Sequence, residues 1–175
     1  KEGERRLSRM FEFITETWNP LGGECPHKCV YCWSMGAKGL VQRYNMQKYR
    51  GEPRLILKEF NRKFEPDAFV FVCDMIDLFA ENVPAALISK VLRKIKQFPE
   101  TTFLLQTKNP RRYVPFLLLN QIPRNAILGV TVETSTSTFN TPSKFTSYEE
   151  ISSAPLPAFR LSWIHAISSS RIPHV

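Results

Sequence analysis

The stretch from Phe69 to Thr107 constrains the fold most. Phe69-Val-Phe-Val-Cys-Asp74 is a continuous apolar run of β-forming residues. That is the pattern of a strand covered on both faces, as in a parallel sheet. Leu87, Ile88, Val91, Leu92, Ile95 and Phe98 then share one helical stripe, with Lys90, Arg93, Lys94 and Lys96 facing away. Pro84 near the first turn and Pro99 beyond the last periodic residue frame this helix. Thr101-Thr-Phe-Leu-Leu-Gln-Thr107 is another β-type run, stopped by Asn109-Pro110. Two parallel neighbours need a long crossover between them, and the helix supplies it.

The same alternation extends both ways. Phe11-Glu-Phe-Ile-Thr-Glu-Thr17 alternates apolar and polar residues and predicts a first strand, stopped by Trp18-Asn19-Pro20-Leu21-Gly22-Gly23. Residues 34–63 are mixed and charged, and are read as a helix plus a long excursion. Arg111 to Asn120 predicts a short helix, and Ala126 to Thr134 a fourth strand. The predicted architecture is α/β with parallel strands and right-handed crossovers. With 43% hydrophobic residues and 13 Phe, the 175-residue chain can bury one core, so 1–175 is read as a single domain. From Ser135 the composition turns to Ser, Thr and Pro: a loop at Ser152–Pro157, then a helix over Ala158–Ser170. The chain stops at Val175, where the alternation calls for a fifth strand.

Three of the four cysteines fall within eight residues: Glu24-Cys25-Pro-His-Lys-Cys29-Val-Tyr-Cys32, a C-x3-C-x2-C array after the first predicted strand. A disulfide framework spreads its cysteines through a small secreted chain. The N-terminus, Lys1-Glu-Gly-Glu-Arg-Arg6, has no apolar segment behind it to form a secretory signal. Clustering therefore points to a reducing compartment, the cytoplasm by default, and to a metal. A short loop can wrap three thiolates around one face of an iron–sulfur cluster, leaving one iron without a protein ligand. Zinc is the alternative, usually held by paired C-x2-C units or Cys/His mixtures, and only His27 and Cys73 are available to complete it, at unusual spacing. Cys73 could also close a four-cysteine cluster, or be a buried thiol in its strand.

This array, with the aromatic Tyr31 just before the third cysteine, resembles the hallmark of the radical S-adenosylmethionine superfamily. Thr17-Trp-Asn-Pro20, Gly23-Glu-Cys-Pro-His27, Phe79-Ala-Glu-Asn-Val-Pro84, Gln106-Thr-Lys-Asn-Pro110 and Leu128-Gly-Val-Thr-Val-Glu-Thr134 narrow the likeness to a subfamily of phage and archaeal proteins. The likeness runs from about Arg9 to about Ala158. It implies a partial (β/α) barrel, here truncated after about four strand–helix units. It also implies a [4Fe–4S] cluster on Cys25, Cys29 and Cys32, with S-adenosyl-L-methionine chelated to the open iron. The implied activity is reductive cleavage of that cofactor to a 5′-deoxyadenosyl radical, fed by a flavodoxin- or ferredoxin-like electron donor.

Many superfamily members carry Gly-Gly-Glu at the end of the second strand to receive the cofactor ammonium. Here Cys73-Asp74-Met75-Ile76-Asp77 stands instead, and Asp74 could accept the same hydrogen bonds. Thr131 and Glu133 alternate on the fourth predicted strand and so share a face, near the C-terminal edge where parallel barrels place their sites. The resemblance puts a ribose contact near Glu133; a solvated strand end is the alternative. Lys108 meets an anionic substrate or the cofactor carboxylate, or caps a helix. Trp18 and Trp33 flank the loop and are expected to shield it, and His27 to cover or tune it. The fifth and sixth strands that would hold the adenosine are missing. With no initiator Met, the chain reads as a piece of a longer protein.

No apolar run approaches the roughly 18 residues of a membrane span. Lysine and arginine total 24 against 16 acids, a formal net charge of +8. That balance favours nucleic acid or an anionic metabolite as substrate, although the charges are spread along the chain and also suit a solvated surface. The rival to an enzyme is a non-catalytic iron–sulfur or zinc module that binds nucleic acid.

Overall fold

The computed structural model describes residues 11–29 and 32–131. Its centre is a parallel four-stranded sheet in the order β1-β4-β5-β6: β1 Glu16–Trp18, β4 Phe69–Val72, β5 Thr102–Thr107 and β6 Ala126–Val130. Register pairs Trp18 with Val72, Val72 with Leu105, and Thr107 with Val130. The C-terminal ends of all four strands therefore share one edge. Between β1 and β4 the chain builds β2 (Leu21–Gly22) and β3 (Arg54–Leu55), a small antiparallel pair, with α1 (Leu40–Arg43) and α2 (Leu57–Phe60).

The central strand–helix–strand unit forms as its sequence predicts. α3 spans Ala85–Ile95 and starts directly after Pro84. It buries Ile88, Val91, Leu92 and Ile95, while Leu87 and Phe98 are half-buried. Each fully buried side chain of this kind contributes about 2 kcal/mol. β5 alternates as a strand with one better-covered face should, with Phe103, Leu105 and Thr107 buried. After it come a 3-10 turn, Pro110–Arg112, and α4, Tyr113–Leu118. The buried Tyr113 hydroxyl lies 2.7 Å from the Leu105 carbonyl and 2.8 Å from that of Gly129, bridging β5 and β6.

Three expectations are corrected. The first strand covers only Glu16–Trp18; Phe11–Phe13 form a turn, closed by the Ile14 N–H on the Phe11 carbonyl. The apolar positions of that stretch are used in ring packing, Phe13 on Phe69 and Phe11 on Phe71, not in a ladder. Residues 34–63 hold no long helix, only the short elements above and a 3-10 turn at Gln47–Tyr49. Trp18 shields no loop surface: it is fully buried in the core, edge-on to Phe64 and Phe103, with its indole N–H on the Glu59 carbonyl at 2.8 Å. The expected loop and helix beyond Ser135 lie outside the described residues. No described helix is long and apolar enough to cross a membrane.

Candidate metal centre

The cysteine loop leaves the sheet at its C-terminal edge, through Asn19-Pro20 and β2. Gly23 opens it with φ +115°, where a side chain would strike Pro53, its ideal Cβ standing 2.7 Å from the Pro53 Cα. Only glycine fits both demands. The Gly23 N–H donates to the Lys48 carbonyl and that of Glu24 to Gly51, so the excursion backs the loop. Beyond it, the Cys32 N–H donates to the Cys29 carbonyl and the Gly36 N–H to that of Cys32, folding the third cysteine back toward the second.

Cys25, Cys29 and Cys32 are all half-buried free thiols. Burial pushes the Cys25 thiol up to about 11; backbone N–H groups of His27 and Asp77 pull it down, and the charges of Asp77 and Cys29 push it up again. The Met35 N–H donates to the Cys32 sulfur at 3.1 Å. Lys108, just after β5, hydrogen-bonds Cys29 and lies close enough to Cys25 to feel its charge. Burial lowers its ammonium pKa, while Cys29, Cys25 and a side-chain hydrogen bond with Cys29 raise it. Each of the three sulfurs thus has an N–H neighbour, and hydrogen bonds to sulfur are among the levers on an iron–sulfur potential. This donor chemistry fits thiolate ligands of a cluster. Among the described residues no three or more His, Cys, Asp or Glu side chains are gathered tightly enough to hold a single metal ion. A cluster places its thiolates on separate irons and asks for a wider spread. Tyr31 lies outside the described residues.

Asp77 organises the edge around the loop. Its Oδ2 lies 2.8 Å from His27 Nε2, accepts from the Thr107 hydroxyl at 2.8 Å and from the Lys108 N–H at 2.9 Å. Its Oδ1 accepts from the Phe79 N–H two residues on, an Asx turn. His27 and Asp77 side chains are both 9% exposed. One carboxylate therefore ties the cysteine loop, the turn after β4 and the end of β5. No spacing in the sequence sets Asp77 above Asp74; its one faint signal is its place two residues before Phe79, the offset of an Asx turn.

Asp74 belongs to a neighbouring network. Burial raises its pKa, opposed by the Asn19 amide, which donates to it, and by Lys48. Thr131 accepts from the Gln106 side-chain amide at 2.9 Å, on the far side of β5. The two are thus placed at one edge but in different networks, and Glu133 lies outside the described residues. Cys73 is buried in the core cluster with φ +59°, and burial, with Asp74 and Asp77, pushes its thiol far up. Trp33 is 46% exposed, so it gives the loop little of the cover expected of it.

The model of one protein family, described as "Protein of unknown function (DUF5131)", matches residues 8–151. No curated protein and no solved structure matches the chain.

Proposed function

The chain belongs to this family of unknown function, and on that premise we propose that it is a radical S-adenosylmethionine enzyme. Cys25, Cys29 and Cys32 would hold the [4Fe–4S] cluster. The observation that carries the reading is the departure of a C-x3-C-x2-C loop from the C-terminal edge of a parallel sheet, each sulfur beside an N–H group. A partial barrel is the finer fold assignment. Its support is that β1, β4, β5 and β6 lie side by side in chain order, without the reversal that marks a doubly wound sheet.

When bound, the cluster and S-adenosyl-L-methionine would supply reductive, one-electron cleavage of the sulfonium carbon–sulfur bond, to methionine and a 5′-deoxyadenosyl radical able to take hydrogen from substrate. The chain's own residues bind and orient. Asp77 fixes His27 over the loop and holds the end of β5; Lys108 sets a positive charge against Cys25 and Cys29. Asp74, Thr131 and Glu133 are proposed cofactor contacts. A flavodoxin- or ferredoxin-like donor and a cytoplasmic setting complete the proposal. A zinc-binding, non-catalytic module is the second reading, favoured by the His27–Asp77 pair, since a ligating histidine usually gives its other ring nitrogen to a carboxylate.

Anaerobic reconstitution separates the two. About four irons per chain, an electron paramagnetic resonance signal shifted by S-adenosylmethionine, and loss of iron in Cys25→Ala, Cys29→Ala and Cys32→Ala are expected, with Cys73→Ala keeping its iron. Stoichiometric zinc and no iron would overturn the proposal.

A further inference from the structure

We infer that the excursion after the cysteine loop is a binding surface for single-stranded nucleic acid, which it presents to the edge carrying the three cysteines. The inference deepens the function proposed above by naming the substrate class.

Its first support is charge segregation. From Cys25 through Lys63 the chain carries nine Lys and Arg against two acids, Glu52 and Glu59, seven of its eight net positive charges. Lys28, Lys38, Arg43, Lys48, Arg50 and Arg54 are exposed. The acids that follow, Glu65 and Asp67, lie at the opposite edge of the sheet, where the Asp67 N–H donates to the Glu100 carbonyl.

The second support is how these cations are held. Arg50 donates to the amide oxygens of Gln42 and Asn45, both at 3.2 Å. Arg54 donates to four backbone carbonyls, those of Gln47, Lys48, Arg50 and Glu52. Neutral acceptors fix a guanidinium without cancelling its charge, which leaves a rigid positive surface. A merely solvated cation has no need of four anchors. The field of such a surface falls off within about 8–10 Å at physiological salt, so it acts on a ligand held against the excursion, whose Lys48 and Gly51 carbonyls back the cysteine loop.

The third support is aromatic. Trp33 is 46% and Tyr44 62% exposed, among the largest exposed apolar rings described. Leu40 links them, its N–H on the Trp33 carbonyl and its own carbonyl receiving the Tyr44 N–H. Rings interleaved with cations suit unstacked bases, which present flat faces alongside phosphates. No helix of the excursion exceeds four residues, so it offers nothing to fill a duplex major groove.

The test is fluorescence anisotropy on the whole chain, with labelled 20-nucleotide oligo(dT), oligo(U) and a duplex of the same length, across a salt series. Single strands should bind tighter than duplex, and the two single-stranded probes distinguish DNA from RNA. Lys38→Ala/Arg43→Ala/Lys48→Ala should bind at least tenfold more weakly and lose about two from the logarithmic salt slope, near 0.7 per phosphate contact. Trp33→Ala/Tyr44→Ala should bind at least tenfold more weakly with that slope kept. Lys90→Ala/Arg93→Ala/Arg111→Ala, an equal charge loss elsewhere, should leave affinity within about twofold. Equal weakening by both triple variants, tighter binding of duplex, or binding only to phosphatidylserine vesicles would overturn the inference. Iron uptake is read on the same samples: loss of iron alone, with oligonucleotide binding intact, removes the cofactor assignment and leaves this surface standing.

Discussion

Asp77 shows how much one buried side chain can hold together. Its two oxygens serve His27, Thr107, Lys108 and Phe79, which come from the cysteine loop, β5 and its own turn. Hydrogen bonds to a charged group contribute roughly 1.5–3 kcal/mol each, and removing one partner leaves the others unpaired. Asp77→Ala should therefore lower the unfolding free energy by on the order of 3 kcal/mol, measured by urea denaturation. It should also speed alkylation of Cys25, because removing the Asp77 charge takes away one of the influences that push that thiol up. Asp77→Asn, which keeps one acceptor oxygen, should lose less. A change below about 0.5 kcal/mol in Asp77→Ala, within the range of ordinary surface substitutions, would show that the four contacts do not act as an anchor.

At the scale of elements, α3 is the part most governed by its own sequence. Leu92 is buried on its inward stripe, while the positive residues of its last turn include Arg93 and Lys94, where they complement the helix dipole. Leu92→Ala should cost about 2–5 kcal/mol by emptying a packed site, and Lys90→Ala on the exposed side well under 1 kcal/mol; thermal melts of the two variants check the contrast. Its legibility comes from eleven residues of sustained period between two prolines. β4 was legible for a related reason, an unbroken apolar run covered on both faces. The excursion was not, because strands of two residues and helices of four are too short for a period to repeat. Phe11–Thr17 misled because alternation does not distinguish a ladder from local ring packing: Phe11 tilts against Phe71, and Phe13, itself 50% exposed, against Phe69. In the site, the cysteines announce themselves by spacing. Asp77 does not, since its partners His27 and Thr107 lie 50 and 30 residues away.

Across the molecule, the sheet joins pieces of unequal separation along the chain. β5 meets β6 through Phe103 and Ala126, and β4 meets β5 through Val70 and Phe103, each across one helical connection. β1 instead finds β4 across the whole excursion, pairing Glu16 with Val70 over three residue pairs. Short pairings closed over long loops return the least contact for the entropy of closure. The β4-to-β6 block and the β1 segment should therefore open separately, with backbone amides of β5 exchanging with deuterium more slowly than those of residues 16–23 by at least tenfold. Uniform protection across the four strands would contradict this. The consequence is temporal: the segment that delivers the cysteines should be the last to settle and the first to leave. On the proposed function, the thiols of a newly made chain would remain open to loading after the rest of the sheet has taken shape, and a loaded centre would act as the clasp that closes β1 onto it.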